Sequence, residues 1–297
     1  MKHQPNPDDP TRVTGVAVKG FPIRFEWQQG DWVRLFDKQV EQVQDDIARA
    51  RAEERYIIYL SCPISPRGGG MSTTNVDIAG FTARWLMNAW GPRFWVLNPS
   101  AYQLESKQGR SLIYKFAEEL GIKKERVDYL RANFAPIGGD YMRMWTRVLV
   151  EDGGDNVGGL FTAFYFLSPI DVQRFFGQNA TSTLSAAAEE YFTRQYALNA
   201  EFRDYFSLEG ADGTRPTDWQ VAWQQRRDAF IRFYTMRASA MFSLGSHDEW
   251  NILVALNKQR IANPKYQIGE QITAYFDGKQ VDPGAAEAPI SPGYAVV

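Results

Sequence analysis

Three short, almost wholly apolar runs constrain this chain most: Tyr56-Ile57-Ile58-Tyr59-Leu60, Phe94-Trp95-Val96-Leu97 and Leu160 to Leu167. Their side chains do not alternate between polar and apolar, so each run needs cover on both faces. That is the pattern of interior strands in a parallel sheet. Each run is also cut short by turn residues, at Ser61-Cys62-Pro63, Asn98-Pro99 and Ser168-Pro169. Between the first two, Asn75 to Trp90 brings Ile78, Phe81, Trp85 and Ala89 to one helical face, with Thr74 or Asn75 as the cap and Gly91 as the stop. Strand, loop, helix and strand over residues 56–97 make the βαβ crossover of a parallel sheet.

The remaining chain is mostly helix-patterned. Phe36, Val40, Val43 and Ile47 share a face within residues 32–52. Residues 105–135 read as helical and exposed, and a helix is expected from Asp140 to Val150. Gly153 to Gly159 reads as a turn, since Asp152 and Asp155 are too few ligands for a calcium loop. Further helices are expected over 183–206, 219–242 and 249–261. Residues 1–20 read as a flexible arm and 278–297 as an arm or a disordered tail. The expected fold is α/β: a flavodoxin/Rossmann-like parallel sheet of about five strands with helices on both faces, within residues 21–206. A C-terminal helical extension, residues 207–277, is expected to pack on it.

Composition narrows the function classes. The 297 residues carry 33 Lys plus Arg against 35 Asp plus Glu, a net charge of -2, which argues against a nucleic-acid polymer as partner. Cys62 is the one cysteine and His3 and His247 are the two histidines, so neither an internal disulfide nor a Cys- or His-rich metal site can be assembled. No metal or organic cofactor is called for. The start, Met1 to Pro10, is polar and unlike a signal peptide, and no apolar run reaches the ~20 residues of a membrane span. Cytoplasm is the expected compartment.

In open α/β sheets, ligands bind beyond the C-terminal ends of the strands. After the first strand, Ser61, Ser65, Arg67, Gly68, Gly69 and Ser72 have the makings of an anion cradle: inward N–H groups, a forked cation and a helix N-terminus. Asn98 follows the second strand. After the third, Ser182 to Tyr191 sets small residues, Ser185 among them, ahead of Glu189 and Glu190; by pattern alone this is helix capping with acids on the dipole. His247-Asp248-Glu249 reads the same way, with Ser246 as N-cap. Cys62 reads as a packed small residue, and the aromatic series Trp219, Trp223, Phe230, Phe233 and Tyr234 as core or subunit packing.

Tyr59-Leu60-Ser61-Cys62-Pro63-Ile64, then Asn75 and Phe81, then Val96-Leu97-Asn98-Pro99, resembles the nucleoside 2-deoxyribosyltransferase superfamily. Arg67-Gly68-Gly69 resembles the phosphate loop of its 2′-deoxynucleoside 5′-phosphate N-hydrolases. That family continues with a helix, an apolar strand and a Gly-Thr/Ala-x-x-Glu segment opening a helix. The pieces matched here are Asp140 to Val150, Leu160 to Leu167 and Ser185-Ala186-Ala187-Ala188-Glu189, with Ser185 in place of the glycine. The resemblance covers residues 55–200 and implies cleavage or transfer at an N-glycosidic bond of a nucleoside or nucleotide. Glu189 would be the nucleophile and Asp171, or else Asp140, the acid on the leaving base. Ser61, Ser65, Arg67, Gly68, Gly69, Ser72, Asn98 and Ser185 would hold the sugar and any phosphate. It also implies a homodimer or larger. The rival expectation is a non-catalytic nucleotide-binding or sensing protein on the same scaffold.

Overall fold

The structure, a computed structural model, describes residues 9–104, 107–177, 183–209, 213–266 and 269–296. The chain enters through an antiparallel hairpin of β1 (Arg12–Val16) and β2 (Arg24–Gln28), followed by α1 (Asp31–Ala52). The βαβ unit consists of β3 (Tyr56–Ser61), α2 (Ser72–Trp90) and β4 (Phe94–Leu97). Then come α3 (Lys107–Glu119), α4 (Lys124–Asn133), α5 (Gly138–Val150) and β5 (Ala163–Phe166). Four helices follow: α6 (Pro169–Phe176), α7 (Leu184–Leu198), α8 (Ala200–Phe206) and α9 (Trp219–Met236). The chain closes with α10 (Leu244–Ala262), β6 (Thr273–Phe276) and β7 (Lys279–Gln280).

The main sheet has five strands in the order β4-β3-β5-β6-β7. The first four are parallel, and β7 is an antiparallel edge. Strand alternation divides the core in two. Ile57, Tyr59, Phe164, Phe166 and Ala274 join α1, α5 and α10 on one face. Ile58, Leu60, Val96, Ala163 and Tyr165 join α2 and α6 to α9 on the other. The continuous apolar runs follow from this two-sided burial.

Several expectations are corrected. Part of the supposed N-terminal arm is β1; residues 1–8 lie outside the described residues. Its Arg-Val-Thr-Gly-Val sequence has little apolar signal, and the hairpin is secured from afar, where the Gln28 N–H donates to Asp140 at 2.7 Å. Residues 207–277 are not an appended extension. Ile252, Leu253 and Leu256 of α10 are fully buried, and β6 is an interior strand of the sheet. The 105–135 region is less exposed than expected, since Ile113, Phe116, Val127 and Leu130 enter the core. The long 183–206 helix breaks at Asn199, which leaves helical geometry and caps α8 by accepting the Phe202 N–H at 3.2 Å. The tail from 278 carries β7 and a docked segment described below.

Candidate functional site

A cleft of about 630 Å³ opens at the C-terminal ends of β3 and β4. Its walls are the loop after β3 (Cys62, Ile64, Ser65, Pro66, Arg67), the start of α5 (Gly138, Gly139), the start of α10 (Gly245, Glu249) and Tyr294. The loop is tied down from behind. Asn75 Nδ2 donates to the carbonyls of Ile64 at 3.0 Å and Ser65 at 3.2 Å. The Tyr234 hydroxyl donates to Asn75 Oδ1 at 2.7 Å and accepts the Met71 N–H at 3.2 Å.

Glu249 stands out within the cleft. It lies in the second turn of α10 and is buried. Tyr59 and Ser61, two apart on β3 and so on one face of the sheet, each donate to one carboxylate oxygen, at 2.6 Å and 2.5 Å. Burial pushes the carboxyl up to about 7, against the pull of these two hydroxyl donors. Such a group is ionised in a substantial fraction at neutral pH, poorly solvated and held in one orientation, which suits a nucleophile or a general acid/base.

The expected site residues are distributed unevenly about this cleft. Ser61 binds Glu249, and Ser65, Arg67 and Ser72 line the wall. The Arg67 side chain is exposed and has no hydrogen-bond or ion-pair partner among the described residues. Asn98 sits at the end of β4, where its side chain accepts the Ser100 N–H at 3.0 Å and so shapes the backbone turn. Gly68 and Gly69 are not among the residues that line the cleft. Both have positive φ, and a side chain on Gly69 would come within 2.7 Å of the Ala229 carbonyl oxygen, so the run serves close approach to α9.

The three expected catalytic acids lie elsewhere. Glu189 is exposed on α7 and ion-paired to Arg227, and Ser185 is exposed one turn before it. Thr183 caps that helix by accepting the Ala186 N–H at 3.1 Å, and Ser182 lies outside the described residues. Asp171 is buried in the first turn of α6 and bonds back to its cap residue, Ser168. It accepts from Ser168 N at 3.0 Å, Ser168 Oγ at 2.9 Å and Tyr165 at 2.9 Å, and Arg174 donates to it at 3.1 Å. Asp140 is buried in the first turn of α5, taking the N–H groups of Ile137, which precedes the helix, and of Gln28, each at 2.7 Å. Burial raises both carboxyls, and their oxygens are occupied by these structural partners. Cys62 is a packed residue as expected, with burial pushing its thiol up.

Sequence reading missed Glu249. The signal available was Gly245-Ser246-His247-Asp248-Glu249, a Gly-Ser-x-x-Glu segment that opens a helix leading into a parallel strand. Pattern alone reads His247-Asp248-Glu249 as a helix start capped by Ser246. The cap is in fact Ser243, which accepts the Ser246 N–H at 3.4 Å.

Comparison with models of known protein families, with curated proteins and with solved structures finds no match. None of the described helices is long and apolar enough to cross a membrane.

Proposed function

We propose that this chain cleaves or transfers at the N-glycosidic bond of a nucleoside or nucleoside 5′-monophosphate, with Glu249 rather than Glu189 as the nucleophile. One observation carries the reading: a buried carboxylate, oriented by Tyr59 and Ser61, faces a cleft at the strand ends. It occupies the glutamate position of a Gly-Ser-x-x-Glu helix start. The strand order supports a flavodoxin/Rossmann-like scaffold. Numbered from β3 as the first parallel strand, the sheet runs 2-1-3-4, and the cleft lies where β3 gives way to its two neighbours. On this reading, α6 to α9 are an excursion between the third strand and the nucleophile helix.

The ionised Glu249 oxygen attacks the anomeric carbon. A C–O ester bond forms as the C–N bond breaks, and the base leaves with the bonding pair and takes up a proton from solvent. Water, or a second base, then displaces the carboxylate and restores it. Tyr59 and Ser61 keep the carboxylate in line. Arg67, Ser65 and Ser72 at the mouth suit a 5′-phosphate. A nucleotide sensor on the same scaffold would need the cleft but would have no use for a buried, twice-bonded acid.

The test is release of free base from a panel of nucleosides and 5′-monophosphates, followed by chromatography. Wild type releases base, Glu249→Gln loses about 10³-fold or more, and Glu189→Ala stays within a few-fold of wild type. Retained activity in Glu249→Gln removes the proposed nucleophile. No release by wild type from any substrate favours the sensor.

A further inference from the structure

Residues 288–296 cross the start of α10 and are fastened along their length. Asp248, the neighbour of Glu249, accepts the backbone N–H groups of Gly293 at 2.8 Å, Tyr294 at 2.6 Å and Ala295 at 3.3 Å. The Trp250 indole N–H donates to the Ala288 carbonyl at 2.9 Å. Asn251 both donates to Ile290 O, at 3.0 Å, and accepts from Ile290 N, at 2.9 Å. Beyond the cleft, the Val296 N–H donates to the Arg24 carbonyl at 2.8 Å and Ala295 bridges to Phe25. Gly293 sits so close to α10 that a Cβ there would lie 1.8 Å from the Leu244 carbonyl oxygen.

This fastening sets one aromatic side chain into the cleft wall. The Tyr294 ring lies over Gly138 at the start of α5, where a Cβ on the glycine would meet ring carbon Cε1 at 2.2 Å. Its hydroxyl has no hydrogen-bond partner among the described residues. The anchor, Asp248, and the buried acid, Glu249, are consecutive on one helix, so ring and carboxylate keep a fixed relation.

We propose that the C-terminal segment is a permanent wall of the cleft, supplied by the chain itself, and that Tyr294 selects and orients the heterocyclic base of the substrate. The inference rests on the N-glycosidic reading for the identity of the ligand. A planar base stacks on the ring, and the unpartnered hydroxyl meets a polar edge of that base. Tyr294 is a specificity-determining residue, distinct from the group that reacts.

The experiment is calorimetric titration of the full chain and of Tyr294→Ala, Tyr294→Phe and Tyr294→Leu with adenosine, guanosine, cytidine and uridine, with base release measured in parallel. Tyr294→Ala is expected to weaken nucleoside binding by about ten- to a hundred-fold, and unequally, so that the purine-to-pyrimidine ratio changes. Tyr294→Phe should retain most of the affinity and change the ranking of bases. Tyr294→Leu fills the same space without an aromatic face and should behave as the alanine variant does, which covers a failure of that variant to fold. Unchanged affinity in Tyr294→Ala or Tyr294→Leu, or loss by one common factor for every base, makes the ring mere packing and overturns the proposal. A wild type that binds nucleosides but releases no base ends the enzymatic reading and leaves the role of Tyr294 to be decided by these ratios. A wild type that binds none of these four, nor their 2′-deoxy forms or 5′-monophosphates, ends both.

Discussion

At the scale of single residues, the four acids weighed for this site show that environment assigns the role. Glu189 is solvated and neutralised by Arg227 on an outer helix face. Asp140 and Asp171 are buried, but their oxygens are taken up by helix starts and by Gln28 in one case and Tyr165 and Arg174 in the other. Glu249 is buried, has two hydroxyl donors and borders a cleft. The donors hold its carboxyl down against the upward push of burial. Removing one by Tyr59→Phe therefore raises the Glu249 carboxyl above about 7. Since attack requires the ionised form, the acid limb of the pH–rate profile moves to higher pH and the rate at neutral pH falls. A limb that stays in place, or moves to lower pH, would detach the rate from the ionisation of Glu249.

At the scale of elements, much of the frame was legible. β3, α2, β4 and α5 lie within a few residues of their expected bounds, because apolar runs and helical periodicity are local signals. The hairpin strand β1 and the C-terminal segment were not legible. β1 is paired to β2, which is itself held by Gln28 on Asp140, the C-terminal segment is held by Gly293 to Ala295 on Asp248, and neither has a period of its own. The sequence resemblance points to Glu189 and not to Glu249, the proposed nucleophile, because a small-residue, acid-bearing helix start occurs twice. Only the topology, with α10 leading into β6, separates the two. The glycine run had an equally ambiguous signal, since positive φ and close approach serve a phosphate or a helix alike. Its structural role yields a ranking. Both positions have an unfavourable φ, 95° at Gly68 and 116° at Gly69, but Gly69→Ala also meets the Ala229 backbone at 2.7 Å, whereas Gly68→Ala meets the movable Arg237 side chain at 3.1 Å. Gly69→Ala should cost at least about 1–3 kcal/mol in urea unfolding, and more than Gly68→Ala. Equal costs would argue that α9 gives way freely.

At the scale of the whole molecule, a buried acid couples stability to function. The Glu249 carboxyl titrates in the folded chain at about 7 against an ordinary value of 4.5. Below 4.5 both folded and unfolded chains hold the proton, and Glu249 carries no penalty. As the pH rises from there, the unfolded chain ionises first, so stability is lost progressively until the folded carboxyl has also ionised near 7, and the loss then levels off. Its full size is on the order of 3 kcal/mol, from 1.36 kcal/mol per unit. Glu249→Gln keeps the shape and cannot ionise. Wild type should therefore lose stability relative to Glu249→Gln between about pH 4.5 and 7.5, measured by urea midpoints at matched pH, with the variant the more stable at the upper end. The pH at which the wild type gives up this stability is also the pH at which the proposed nucleophile becomes available. Site and scaffold are thus opposed at one carboxylate. Parallel pH–stability curves for the two proteins would mean that Glu249 is not desolvated in the folded chain, and the case for it as the reacting group would go with that result.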